Sequence, residues 1–280
     1  MRYSTYYEGP RIGFGGKFTT VVKYVILISV GSFLAGTLFE LAGSSFWIRA
    51  FGLTPYIVKK YFALWQFVTY MFVHGGLWHV LFNMFALWMF GTELESSWGS
   101  REFAVYFLVT GGCAGLLYFI FASGLPLPLV SGSPFQVLIG SSGAIFGLLA
   151  AYGICFPDRQ ILFMLLFPIK ARYFVLLLAA IEFYLAWQPS SVSNFTHLSG
   201  MLIGWIYLKK DWNFSNLPER LADRRRRKRI RLVEDRDEET RLEKNEVDRI
   251  LDKILKEGLQ SLTRRERKIL DRASLRGRHK

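Results

Sequence analysis

The tetrad Gly140-Ser141-Ser142-Gly143 opens an apolar run that continues to Phe156. A serine set between small residues at the mouth of a hydrophobic helix admits two readings. Small residues at helix interfaces commonly do no more than let backbones approach. A serine hydroxyl with a base to take its proton is a nucleophile. A base is available in His197, which stands in another apolar segment and has a side chain that titrates near neutrality. His79 and Asn83, one helical turn apart in a third segment, are donors of the kind that stabilise an oxyanion. The set suits acyl transfer. Ser142 attacks, His197 takes the proton, and the Ser142 backbone N–H joins His79 and Asn83 in facing the developing negative charge.

A metal is the other chemical option, because His74, His79 and His197 could hold zinc. Against it, no carboxylate or thiol stands at that depth apart from Glu182, and metal coordination has no need of a Gly-Ser-Ser-Gly turn. Glu182 is the only carboxylate that could accompany Ser142 and His197. Its nearness to Trp187 and the end of its segment weighs against a catalytic role.

These residues need elements to hold them at one place. Of the 280 residues, 51% are hydrophobic and 16% aromatic, which points to a polytopic membrane protein before a soluble domain. Residues 1–20 form a polar, glycine-rich lead with Arg2, Arg11 and Lys17. Six apolar segments follow, at about 21–41, 79–94, 103–123, 140–156, 173–187 and 195–208. The first is not followed by a convincing small-residue cleavage site, so it is expected to be a retained span rather than a removed leader. Between the first two, Trp47, Phe51, Tyr56, Phe62 and Trp65 with Lys59-Lys60 suit a segment lying in the membrane interface. The run Ile161–Phe167 is too short to span. Cys113 and Cys155 both sit in apolar runs, where inert buried thiols are expected rather than a disulfide.

The expected fold is an all-α, six-span helical bundle over residues 21–210 with a small helical tail over 211–280. Charge gathers in the lead, the second-to-third and fourth-to-fifth connections and the tail, which puts both termini on the cytoplasmic side. His79 and Asn83, Ser142, and His197 then fall at the outer ends of three different helices, at one depth. Ser142, Phe146 and Ala150 share one helix face, and His197, Gly200 and Gly204 share another. The glycines at 200 and 204, facing Gly143, Gly147 and Ala151, would let those two helices meet closely.

Taken together, these motifs resemble the rhomboid family of intramembrane serine proteases. Trp65, Thr69, His74, His79 and Asn83 are similar to the family's W-x3-T-x4-H-x4-H-x3-N pattern, and Glu95 and Gly99 to its loop after the second helix. Gly140-Ser141-Ser142-Gly143 matches G-x-S-G, and His197, Gly200 and Gly204 match H-x2-G-x3-G. The resemblance covers about residues 21–210. It implies a Ser142–His197 dyad, cleavage of transmembrane segments near their outer end, no metal or other cofactor, and a multi-pass location in the bacterial inner membrane. Two departures stand out. Gln66 follows Trp65 where the family often has arginine, and Phe146 replaces a frequent tyrosine one turn after the serine. A non-catalytic member that captures transmembrane helices is the competing reading. A transporter would need an internal repeat, and none is evident.

The tail is a different regime. Residues 211–280 hold 22 Lys/Arg and 15 Asp/Glu, which is +7 of the chain's +13. Arg224–Arg229 is a run of six basic residues that suits anionic lipid; without interleaved aromatics, nucleic acid is not an expected partner. Val247, Ile250, Leu251, Ile254 and Leu255 fall on one helical face, Gly258 breaks that helix, and Thr263 with Glu266 forms a capping box for a second. This hairpin looks like the cytoplasmic extension of many bacterial rhomboids. The oligomeric state is left open by the sequence.

Overall fold

The structure, a computed structural model, describes residues 16–123, 133–163, 167–186, 192–210, 245 and 247–277. The charges at Arg2, Arg11 and Arg224–Arg229, and Trp187, lie outside the described residues. The chain divides into two units, Met1–Ser215 and Asn216–Lys280.

Among the described residues of the first unit, α1 (Thr20–Leu41) is followed by three short helices, α2 (Phe46–Phe51), α3 (Pro55–Tyr61) and α4 (Gln66–Thr69). Then come α5 (Leu77–Ala86), α6 (Thr92–Trp98), α7 (Ser100–Ala122), α8 (Ser142–Cys155), α9 (Ala171–Ala186) and α10 (Val192–Lys209). α1 and α7, with 22 and 23 residues, are long and apolar enough to cross a membrane. α8, also apolar, has 14 residues and is therefore about 21 Å long.

The second apolar segment is longer than the sequence suggests. A turn of π-helix over Leu87–Gly91 joins α5 to α6, so helix runs on to Trp98, past the expected end of the segment at about 94. The polarity of this stretch has a cause. Glu95, 2% exposed, accepts the Val21 and Val22 N–H groups and the Thr19 and Ser100 hydroxyls. It thereby satisfies donors at the start of α1 that no turn of that helix can satisfy. The break comes only at Gly99, where φ is +85°.

α8 lies at the centre, packed on α7 and α10. Glycine sets how closely. A methyl group on Gly200 would overlap the Gly143 carbonyl oxygen, and one on Gly147 would lie 2.9 Å from Thr110 Cβ. Buried tyrosines fasten this layer through backbone oxygens. Tyr70 donates to Gly111 O at 2.7 Å, Tyr106 to Gly147 O at 2.7 Å and Tyr118 to Gln136 O at 2.6 Å. A phenol gives apolar area and a donor at once, so the hydroxyl is not stranded in the core.

The expected all-α fold needs one correction. Gln160–Phe163 and Phe167–Lys170 pair as an antiparallel hairpin with Ile161 opposite Ile169. Segments of four residues are too short for a stable helix, and the paired Ile161 and Ile169 are β-branched side chains that suit a strand. Pro168 is tolerated because both strands are edges. The outward faces of α1 and α9 are apolar, with Leu27, Leu34, Leu38, Leu176, Ile181 and Tyr184 exposed. Such faces suit lipid better than water.

In the second unit, helix α11 (residues 247–257) ends at Gly258, where φ is +81°, and α12 (Arg264–Gly277) follows. Thr263 caps α12. Its N–H and hydroxyl donate to Glu266 at 2.7 and 2.8 Å, and the Glu266 N–H returns to the hydroxyl at 3.3 Å. Lys253 on α11 pairs with the same carboxylate at 3.1 Å, and Ile250 and Leu262 are buried.

Candidate functional site

The turn before α8 aims Ser142. Gly140 holds φ at +105°, and its N–H donates to Tyr70 O at 2.9 Å. A methyl there would lie 2.6 Å from His79 Nε2, so glycine is required by both conformation and space. Upstream, Leu53 and Leu138 exchange two backbone hydrogen bonds of 2.9 Å, which fixes the approach to the turn. The chain then enters α8 at Ser142, so the Ser142 N–H is one of the helix's unsatisfied first donors.

The two adjacent serines differ. Ser141 is 0% exposed, and its hydroxyl has no partner among the described residues. Ser142 is half-buried, and its Oγ lies 2.8 Å from His197 Nε2. The His197 ring stacks on Phe146 at 4.3 Å with 11° between planes. Phe146 stands one turn beyond Ser142, so the same helix that carries the hydroxyl also braces the ring that faces it. The contact of α8 with α10 through Gly143 and Gly200 brings these two helices within reach of one short hydrogen bond. Gly204 repeats the device one turn on, where a methyl would overlap the Tyr106 hydroxyl and lie 3.0 Å from Gly147 O.

His79 and Asn83 sit on α5, across from the turn. His79 approaches Gly140 and meets His74 edge to face at 5.1 Å. Asn83 is buried and spends one amide hydrogen on His79 O at 2.9 Å, which leaves the other for a ligand. His74 is 5% exposed, its Nδ1 lies 3.3 Å from Phe72 O, and its Nε2 has no partner among the described residues. No group of three His, Cys, Asp or Glu side chains gathers as a metal site among the described residues.

The sequence offers Glu182 as the only carboxylate that could accompany the pair and weighs against it, and the structure places it beside His197. Its Oε2 lies 3.1 Å from His197 Nδ1 and accepts the Asn194 amide at 2.7 Å. The Nδ1 contact is off the N–H axis, an ion-pair approach rather than a linear hydrogen bond. The signal was weak because α10 was expected to begin at Phe195. It begins at Val192, and the added residues put Asn194 beside Glu182. Gln66, the departure after Trp65, is 0% exposed and stitches the first loop: it accepts the Thr54 N–H at 3.0 Å and donates to Arg49 O at 2.9 Å.

Comparison with known proteins bears on the family. The profile described as Rhomboid domain matches residues 61–213, and a family of unknown function (DUF6576) matches residues 233–276. Rhomboid protein 1, mitochondrial, of Saccharomyces cerevisiae is 31% identical over 157 residues, 55% of this chain and 43% of that protein. Rhomboid-like protein 11, chloroplastic, of Arabidopsis thaliana is 28% identical over 211 residues, 72% and 68% of the two chains. Rhomboid protease GlpG of Yersinia pseudotuberculosis is 28% identical over 162 residues, 54% and 50%. The chain therefore spans less than half of the yeast relative and half of the Yersinia one.

Proposed function

The chain belongs to the rhomboid family, and from that premise we propose that it is an intramembrane serine endopeptidase acting through Ser142 and His197. The observation that carries the proposal is the 2.8 Å contact between Ser142 Oγ and His197 Nε2 at the N-terminus of α8.

In the proposed reaction, His197 Nε2 takes the Ser142 proton as Oγ bonds to the scissile carbonyl carbon. The carbonyl oxygen becomes an oxyanion facing the Ser142 N–H, the free Asn83 amide hydrogen and the His79 ring. One such donor is worth roughly 3 kcal/mol of barrier. Collapse breaks the C–N bond, and the amine leaves with the proton from His197. Water then repeats the cycle on the acyl ester, returning the proton to Ser142. No step calls for a metal or other cofactor.

Six helical segments enter the membrane: α1, α5 with α6, α7, the shorter α8, α9 and α10. Both termini are then cytoplasmic, residues 1–20 are the lead, 21–210 the protease domain and 211–280 the basic tail, attracted to anionic lipid. Substrates are transmembrane segments cut near their outer end. The relative named Rhomboid protease GlpG supports the activity class.

The test uses purified protein in proteoliposomes with a tagged single-span substrate bearing a small-residue motif near its outer end. Wild type and Ser141→Ala should cleave, and Ser142→Ala and His197→Ala should not. Equal cleavage by wild type and Ser142→Ala would remove the dyad. Substrate that co-purifies with wild type and Ser142→Ala alike, uncleaved by either, with no serine-reactive probe on Ser142, would establish the helix-binding reading instead.

A further inference from the structure

We infer that Glu182 is a positioning residue for His197, so that the reacting pair is held and charge-balanced by a third side chain. The inference rests on the dyad reading and concerns how its base is set.

The need for a third group follows from the tautomer. For Nε2 to accept the Ser142 proton, the neutral ring must carry its hydrogen on Nδ1. The Nδ1 side is buried and, among the described residues, meets one carboxylate oxygen, Glu182 Oε2 at 3.1 Å. That oxygen also takes the Asn194 amide at 2.7 Å, so the carboxylate is held from the α10 side while it faces the ring. Phe146 stacks on the face of the same ring at 4.3 Å. Face, edge and hydroxyl together leave the imidazole little freedom to rotate away from Ser142.

The second contribution is charge. When Nε2 takes the Ser142 proton, His197 becomes an imidazolium with both nitrogens protonated. A cation in a water-poor bundle is costly unless a counter-charge stands beside it. The side chains of Glu182 and His197 are 12% and 16% exposed, so solvent supplies little of it. The carboxylate keeps its charge throughout and no proton passes to it; the proton travels from Ser142 to Nε2 and on to the leaving amine. The off-axis approach is that of the resting ring, and such contacts tighten as the ring becomes charged.

The experiment measures kcat and KM in proteoliposomes for wild type, Glu182→Gln, Glu182→Asp, Ser142→Ala and His197→Ala, with melting temperatures in the same lipid. Glutamine keeps the volume and an acceptor but loses the charge. Its kcat should fall about 10- to 100-fold with KM within about twofold, and aspartate should recover part of the loss. Adding Glu182→Gln to His197→Ala should change the residual rate no further, because the effect runs through the ring. Wild-type turnover by Glu182→Gln, with Ser142→Ala and His197→Ala inactive, would overturn the inference and leave the dyad standing. A loss carried in KM or in melting temperature, or one that persists in the His197→Ala background, would overturn it in favour of a structural role. Wild-type turnover by Ser142→Ala would instead remove the dyad itself.

Discussion

Replacing Gly200 by alanine tests whether helix separation sets the site. The added methyl would overlap the Gly143 carbonyl oxygen and lie 2.8 Å from its carbon. Carbon atoms in contact prefer about 3.5–4.0 Å, so α10 must withdraw from α8 by roughly 1 Å. Neither partner is a side chain that can rotate aside, because the obstruction is backbone. The Ser142–His197 contact of 2.8 Å would then open to roughly 3.8 Å, beyond hydrogen-bond range. Overpacking of this kind costs about 1–3 kcal/mol of stability. A misplacement of about 1 Å can cost about 100-fold in rate. Cleavage of the single-span substrate should therefore fall by about that factor, with a lower melting temperature. Gly31→Ala is the control, since a methyl there meets nothing within 4 Å. Wild-type turnover by Gly200→Ala would show that the bundle yields at no cost to the pair, and that close glycine packing does not set the chemistry.

Other expectations follow from single contacts. Phe146→Ala removes the ring stacked on His197 and should lower kcat about 2- to 10-fold, the equivalent of about 0.5–1.5 kcal/mol, while Phe146→Tyr keeps the ring and should stay near wild type; kinetics on both variants checks this. Gln66→Ala strands the buried Thr54 N–H at a cost of about 1–3 kcal/mol, seen as a lower melting temperature in detergent. Backbone and side-chain hydrogen bonds from Thr263, and then Lys253, hold the Glu266 carboxyl down at about 2 from an ordinary 4.5. Because the folded value is depressed, the cap's contribution is fully present above about pH 4.5 and is lost as pH falls towards 2. The carboxyl carbon resonance of Glu266 in the intact protein should titrate near 2, and a midpoint near 4.5 would show that the capping box does not form.

The helices and the proposed nucleophile were legible because both are local patterns. Gly140, Ser142 and Gly143 are adjacent, Phe146 follows one turn later, and Gly200 and Gly204 follow His197 at helical spacing. The meeting of Ser142 with His197 could be argued because both stand at ends of segments whose direction the charge distribution suggests. Three features were less legible because they depend on tertiary partners. Glu95 resembles a loop residue until α1 is brought to it, and only then is it a cap for another helix's start. The hairpin of Gln160–Lys170 carries an apolar run too short to show a period. Glu182 was discounted for its closeness to a segment end, and it is the earlier start of α10 that turns that end towards His197.

The length of α8 links the fold to the chemistry. Its 14 residues extend about 21 Å, while a bilayer core is about 30 Å thick. On the proposed topology the inner end of α8 must reach the cytoplasmic surface, where Asp158 pairs with Lys170 and Arg172. The outer end, with Ser142, then lies roughly 9 Å below the opposite surface. Backbone at that depth is tolerated only against protein or water, and here the Gly140 turn rests on Tyr70 O and His79. The same shortfall answers a chemical requirement. Hydrolysis consumes one water per peptide bond, and a serine at mid-bilayer could be acylated but not released. On the proposed reading, a helix shorter than the bilayer core puts Ser142 where a transmembrane substrate can still reach it and where water can enter from above. The Gly143–Gly200 contact then keeps His197, the proposed base, at that same level, so the length of α8 sets the depth and the small residues of α8 and α10 set the pairing.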